Sequence, residues 1–169
     1  MMEVLLRDLR QPEYIHVLIN PLPVYGLATG LIGLGAALIL RSRPAQIATL
    51  ILVLLTAASA WPVYEFGEQG YDRVLTMTDD PGHAWLDEHM RRGEQLIYVF
   101  YALAVLAFAA LIAPMKWPRS ATLFASAVLV LGTVALGCGG YIAYAGGKVR
   151  HREFRNVPPP PKKEETRES

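Results

Sequence analysis

Four long apolar stretches run through this chain, at about 21–40, 47–64, 96–113 and 121–145, and none contains an Asp, Glu, Lys, Arg or His. Each is 18–25 residues long. At about 1.5 Å of rise per helical residue, that length crosses a hydrocarbon core of about 30 Å. A soluble domain would interrupt such runs with charge every few residues. The sequence therefore predicts an all-α fold, a bundle of four transmembrane helices. The first stretch starts too far into the chain, and runs too long, to read as a cleavable secretion signal.

The charges left over are segregated. If each stretch crosses once, one side carries the short connectors RSRPAQ and PMKWPRS, with Arg41, Arg43, Lys116 and Arg119 and no acid. The other side receives both termini and a connector of about thirty residues, and so all 15 Asp and Glu and all 4 His. Any chemistry belongs to that side. Short, purely basic connectors favour the cytoplasm. This places the protein in a bacterial inner membrane with both termini and the histidines outside the cytoplasm. The net charge of +1 gives no general attraction to nucleic acid. The single cysteine, Cys138, lies inside the fourth stretch and has no partner for an intrachain disulfide.

Residues 1–20 form an amphipathic segment suited to the membrane interface, with Val4, Leu5, Leu6 and Leu9 set against Glu3, Arg7, Asp8 and Arg10. Asn20 before Pro21 reads as an N-cap and first helical position. The four-helix domain is expected over 21–147, with helices at 21–40, 47–64, 81–113 and 121–145. Asp80-Pro81 signals the start of the third, which is long enough to protrude from the bilayer. Residues 148–169, basic and then proline-rich, read as a disordered tail. Rows of small residues let helices approach closely in lipid: Gly26 and Gly30, Thr29-Gly33-Ala37, and Ala135-Gly139-Ala143-Gly147. They suit packing within the bundle, or a homo-oligomer.

His16, His89, His151 and Glu65 fall at the same end of such a bundle. Histidines with a carboxylate can hold a divalent metal, so His16, His89 and Glu65 are the candidate metal ligands. Two histidines on different helices can ligate a haem iron axially, so His16, His89 and His151 are the candidate cofactor ligands, for haem b. Arg91, Arg92 and the Lys148–Arg155 cluster suit anionic headgroups. The apolar cores hold no ionisable group, which argues against an ion path. No nucleophile with acid–base partners points to an enzyme.

The segments N-P-L-P-V-Y-G (Asn20 to Gly26) and G-G-Y-I-A-Y-A-G-G (Gly139 to Gly147) resemble a group of small bacterial four-helix membrane proteins known as domain of unknown function 2231. The resemblance covers about 14–148. It implies the four-helix fold, and it matches His89 to a histidine near the start of the family's third helix. Asn20 stands where the family's first histidine would be, and Tyr25 where a second is common. The family's histidines imply a haem or redox role. Together these features lead to a non-enzymatic accessory or scaffold subunit of a membrane complex, including electron-transfer complexes, with lipid and other membrane subunits as partners. The alternative is a b-type haem or metal-binding redox protein.

Overall fold

The computed structural model describes residues 2–159. Eight α-helices follow in order: α1 (Met2–Asp8), α2 (Pro12–Ile19), α3 (Leu27–Ile39), α4 (Arg43–Ala58), α5 (Ala60–Gln69), α6 (Tyr71–Thr76), α7 (Asp80–Lys116) and α8 (Ala121–Arg150). No strand occurs among the described residues. They combine into four helices long and apolar enough to cross a membrane, Pro12–Ile39, Arg43–Gln69, Asp80–Lys116 and Pro118–Arg150.

The outer surface explains the need for lipid. Ile32, Ile39, Leu40, Val105, Leu123 and Val130 each keep about two-thirds or more of their area exposed. Water would penalise such a surface at about 25 cal/mol per Å², whereas acyl chains do not. Inside, Leu27, Leu34, Leu50, Val53, Leu103 and Val128 are fully buried. Helix α3 meets α4 through its glycines. A Cβ on Gly26, Gly30 or Gly33 would lie 2.6–2.9 Å from Thr56, Val53 or Thr49. Without a hydrophobic drive between helices in lipid, such close approach supplies the packing energy.

Three expected boundaries are corrected. The first span begins at Pro12, not at residue 21, so 12–20 belong to the bundle. Asn20 is helical (φ −53, ψ −31) and its N–H bonds the His16 carbonyl at 2.9 Å, so it is no N-cap. Pro21 and Pro23 have no N–H to give, and the chain passes them as a π-helical turn, Leu22–Gly26, which carries the helix on into α3. The N-cap of α7 is Asp79 rather than Asp80; it accepts from the Gly82 N–H at 3.1 Å. At 37 residues, α7 is about 55 Å long.

The third correction concerns the tail. Helix α8 continues through Gly146 and Gly147 to Arg150. Lys148 is only 1% exposed, its ammonium lying over the rings of Trp85 (4.3 Å) and Tyr144 (4.1 Å). Such cation–π contacts let a lysine stay buried without a carboxylate. Arg155 then folds back and donates to both carboxylate oxygens of Asp79 and to the carbonyls of Lys148 and Val149. Residues 148–155 are thus docked. Residues 156–159 have no regular structure, and the last part of the expected disordered tail, 160–169, lies outside the described residues.

A second, smaller core of Trp85, Leu86, Ala145 and Val149, flanked by Tyr71, Val74 and Leu75, forms beyond the apolar stretches. It fixes α6 and the chain end around α7 and α8, and so frames the histidine end.

Candidate functional site: a slot between two histidines

Two helix pairs face each other at this end, and each presents one imidazole. On one wall α2 packs against α5. The His16 Nδ1–H donates to the Val63 carbonyl at 2.8 Å. The ring lies on Gly67, where a Cβ would stand 2.9 Å from Nδ1. On the other wall α7 packs against α8. The His89 Nδ1–H donates to the Ile142 carbonyl at 3.0 Å. Its ring lies on Gly146, where a Cβ would stand 2.9 Å from Cε1. The plan is the same twice: a glycine opens the face of the neighbouring helix, and the carbonyl one turn before that glycine takes the Nδ1 proton.

A carbonyl can only accept, so both bonds fix the Nδ1–H tautomer. Each Nε2 keeps its lone pair. Metal-binding histidines are held in this manner, with the second ring nitrogen donating to a carbonyl or carboxylate that sets orientation and raises basicity.

The two rings have centroids 6.3 Å apart and planes 82° apart. With a metal–nitrogen bond of about 2.0–2.1 Å, and about 1.2 Å from nitrogen to ring centroid, two imidazoles trans across one metal have centroids about 6.4 Å apart. At a tetrahedral angle the figure falls to about 5.2 Å. The observed separation leaves room for one metal between the two rings.

A cavity surrounds the pair in two lobes. The inner lobe, about 80 Å³, is lined by Pro23, Val24, Ala60, Val63, Ile97, Phe100 and Gly139 besides the histidines. The outer lobe, about 750 Å³, opens between α2, α5, α6, α7 and α8. It lies within the range of about 300–1,000 Å³ usual for cofactor and small-molecule sites. Glu13, Arg73, Arg150 and His151 stand at its rim, with Tyr71 and Met77. Burial, reinforced by its hydrogen bond to Asp87, pushes the Tyr71 phenol up to about 12, so at neutral pH it is a donor.

The four expected site residues divide. His16 and His89 come together. His151 reaches only the rim; it is exposed, bonds Glu153 at 2.9 Å and stacks on Phe154. Glu65, on α5, lines neither lobe. The trio His16, His89 and Glu65 is not assembled, and no group of three or more His, Cys, Asp or Glu among the described residues is placed to hold a metal. A bare divalent ion asks the protein for three or four ligands. A porphyrin brings four nitrogens of its own and asks for two. Two histidines alone are too few for a structural zinc.

Gly67 and Gly146 were not visible as site residues in the sequence. Both fall just past the expected helix ends at 64 and 145, where a glycine reads as a helix stop, and only the longer α5 and α8 make them seats. The fourth histidine, His83, is committed elsewhere, its Nε2 facing the carbonyls of Leu75 (2.9 Å) and Thr78 (3.0 Å). No protein-family model matches this chain, and no curated protein or solved structure matches it.

Proposed function

We propose that this is a b-type haem protein of the bacterial inner membrane, in which His16 and His89 would hold the haem. The observation that carries the proposal is their separation of 6.3 Å, with both Nδ1 atoms committed to backbone carbonyls. When bound, the haem supplies one-electron chemistry. The chain supplies the rest: two oriented lone pairs, an apolar inner lobe and a wall on either side. If His16 and His89 both held the iron, no open position would be left on it for a substrate. The role that follows is electron carriage rather than catalysis.

The accessory-subunit role is kept inside this reading, the carrier exchanging electrons with other subunits of a membrane complex. So is the kinship with domain of unknown function 2231, whose third-helix histidine would correspond to His89. The topology with the histidine end outside the cytoplasm, α7 projecting from the bilayer, completes the proposal.

The test is optical. Protein purified in mild detergent, as isolated or reconstituted with haemin, is expected to give a low-spin Soret band and a sharp α band on reduction. The near-perpendicular rings are expected to give a strongly anisotropic low-spin EPR signal. His16→Ala and His89→Ala should each abolish the six-coordinate spectrum, and His151→Ala should leave it unchanged. Absence of the low-spin spectrum after reconstitution of folded protein would sink the proposal.

A further inference from the structure

The slot has a polarity along its depth, and haem has one too: an apolar edge, and an edge with two carboxylates. The inner lobe is lined by apolar side chains such as Val63, Ile97 and Phe100. The outer lobe ends at a rim that holds two arginines, Arg73 and Arg150. These differ in one respect. Arg73 is paired with Glu13 at 2.8 Å. Arg150 carries no carboxylate among the described residues; its guanidinium reaches across to Met77 Sδ at 3.9 Å, a poor acceptor. Four other arginines at this end are engaged: Arg91 and Arg92 with Glu88, and Arg152 and Arg155 with Asp79.

Building on the haem reading above, we propose that Arg150 is the carboxylate anchor of the slot. It seats the cofactor with its apolar edge in the inner lobe and its two propionates at the outer rim, which Arg73 also lines. The Arg150 side chain lies across the mouth from the end of α8 to the residue after α6, so it borders the path by which a planar ligand leaves. A guanidinium presents a fork of N–H groups matched to one carboxylate, and the pair is stronger than a neutral hydrogen bond. Because the rim is open to water, the effect is modest in size, and it acts on retention and orientation rather than on ligation.

The probes are haemin and haemin dimethyl ester, which differ only in the charge and donor properties of that edge. Affinity is measured for the wild-type protein and for Arg150→Gln, by titration of detergent-solubilised apoprotein. The ratio between the two proteins cancels partitioning of the ester into detergent. The wild type is expected to prefer haemin over the ester about tenfold more than Arg150→Gln does, about 1.4 kcal/mol, with both proteins keeping the six-coordinate spectrum. An unchanged preference in Arg150→Gln, with normal six-coordinate spectra, overturns the anchor and leaves the haem reading standing. If neither probe gives a six-coordinate spectrum in the wild type, the haem reading itself fails. Arg150→Lys adds a second check: a charge without the fork should recover part of the preference.

Discussion

His16 stands on α2, a helix with no buried residue, whereas His89 stands on α7 among buried Trp85, Leu86, Glu88 and Arg92. Both rings use the same glycine-and-carbonyl seat. Their supports differ. The α2 wall is tied by the Glu13–Arg73 pair and by the close approach of Glu13 to Gly70, where a Cβ would meet the Glu13 backbone at 3.0 Å. The α7–α8 wall is braced at several levels. Arg92 bonds Glu88 and the Tyr141 carbonyl, both at 2.7 Å, and lies over the Tyr141 ring at 3.7 Å. Lys148 sits between Trp85 and Tyr144, and Arg155 ties the end of α8 to the start of α7. One wall is a fixed reference and the other is compliant. If the two histidines held a planar cofactor, this division would let it enter by displacing the weaker wall, while the stronger one kept its histidine in register.

The first way to break that comparison is to remove the brace. Arg92→Met would leave Glu88, itself 7% exposed, with Arg91 alone. Loss of one partner from a buried pair costs about 3–5 kcal/mol. With Arg91 still bound at 2.7 Å, the lower figure, about 3 kcal/mol, is expected. Arg91→Ala removes the exposed partner of the same carboxylate and should cost about 1 kcal/mol or less. Thermal unfolding in detergent measures both. Equal losses would show that Glu88 is not buried in solution and that the α7 wall is no stiffer than its counterpart.

The next comparison bears on the seats themselves. Gly146→Ala and Gly67→Ala each place a methyl group about 2.9 Å from a histidine ring, so the ring must give way. Against the braced wall, His89 has to leave its position. At Gly67, α2 can move outward with His16. Haemin affinity is expected to fall about tenfold for Gly146→Ala, or about 1.4 kcal/mol, and by a smaller factor of about three for Gly67→Ala. Reversal of that order would assign the compliance to α7 instead.

How much of this was legible beforehand depends on the length over which each signal is written. The four spans are written in windows of about twenty residues, and the described helices follow them. Their ends were less legible, for local reasons. Asn20-Pro21 carries the signature of a helix start, but an upstream turn from Pro12 already supplies helical carbonyls, and a π turn absorbs the two prolines. Gly146-Gly147 resembles a helix stop, yet Lys148 and Val149 gain more by packing on Trp85 and Leu86 than the chain gains by fraying. His16 and His89 were singled out as candidates, and their pairing depends on where those same ends fall. With α2 placed at the interface, His16 stands outside the bundle. With α2 continuous into the first span, it faces His89. Glu65 shares the right end of the bundle but the wrong face of α5, and His151 lies just past the end of α8, at the rim, neither of which a position along the chain specifies.

The smallest expected effect concerns the clasp that holds the far end of the braced wall. Asp79 caps α7 through the Gly82 N–H and receives Arg155 and Arg152. The Arg155 hydrogen bond, more than any other contact, holds its carboxyl below the ordinary carboxylate range. A carboxylate with a lowered folded pKa stabilises the docked state at any pH above its unfolded value, about 3.9. That contribution is lost as pH falls through the lower, folded value. The clasp should therefore hold from neutral pH down to about 4 and open only in stronger acid. Asp79→Asn separates the two duties of this residue. Asn caps a helix about as well as Asp, so α7 should start at the same place, while the charge that holds Arg155 is gone at every pH. A spin label placed at Val157 would be mobile in Asp79→Asn at pH 7 and immobilised in the wild type, and the haem spectrum would be the same in both. Equal mobility in the two proteins at pH 7 would mean that the chain end is held by Val149 and Arg155's carbonyl contacts alone. The stiffness of this wall would then rest on Arg92 and Lys148 without help from the clasp.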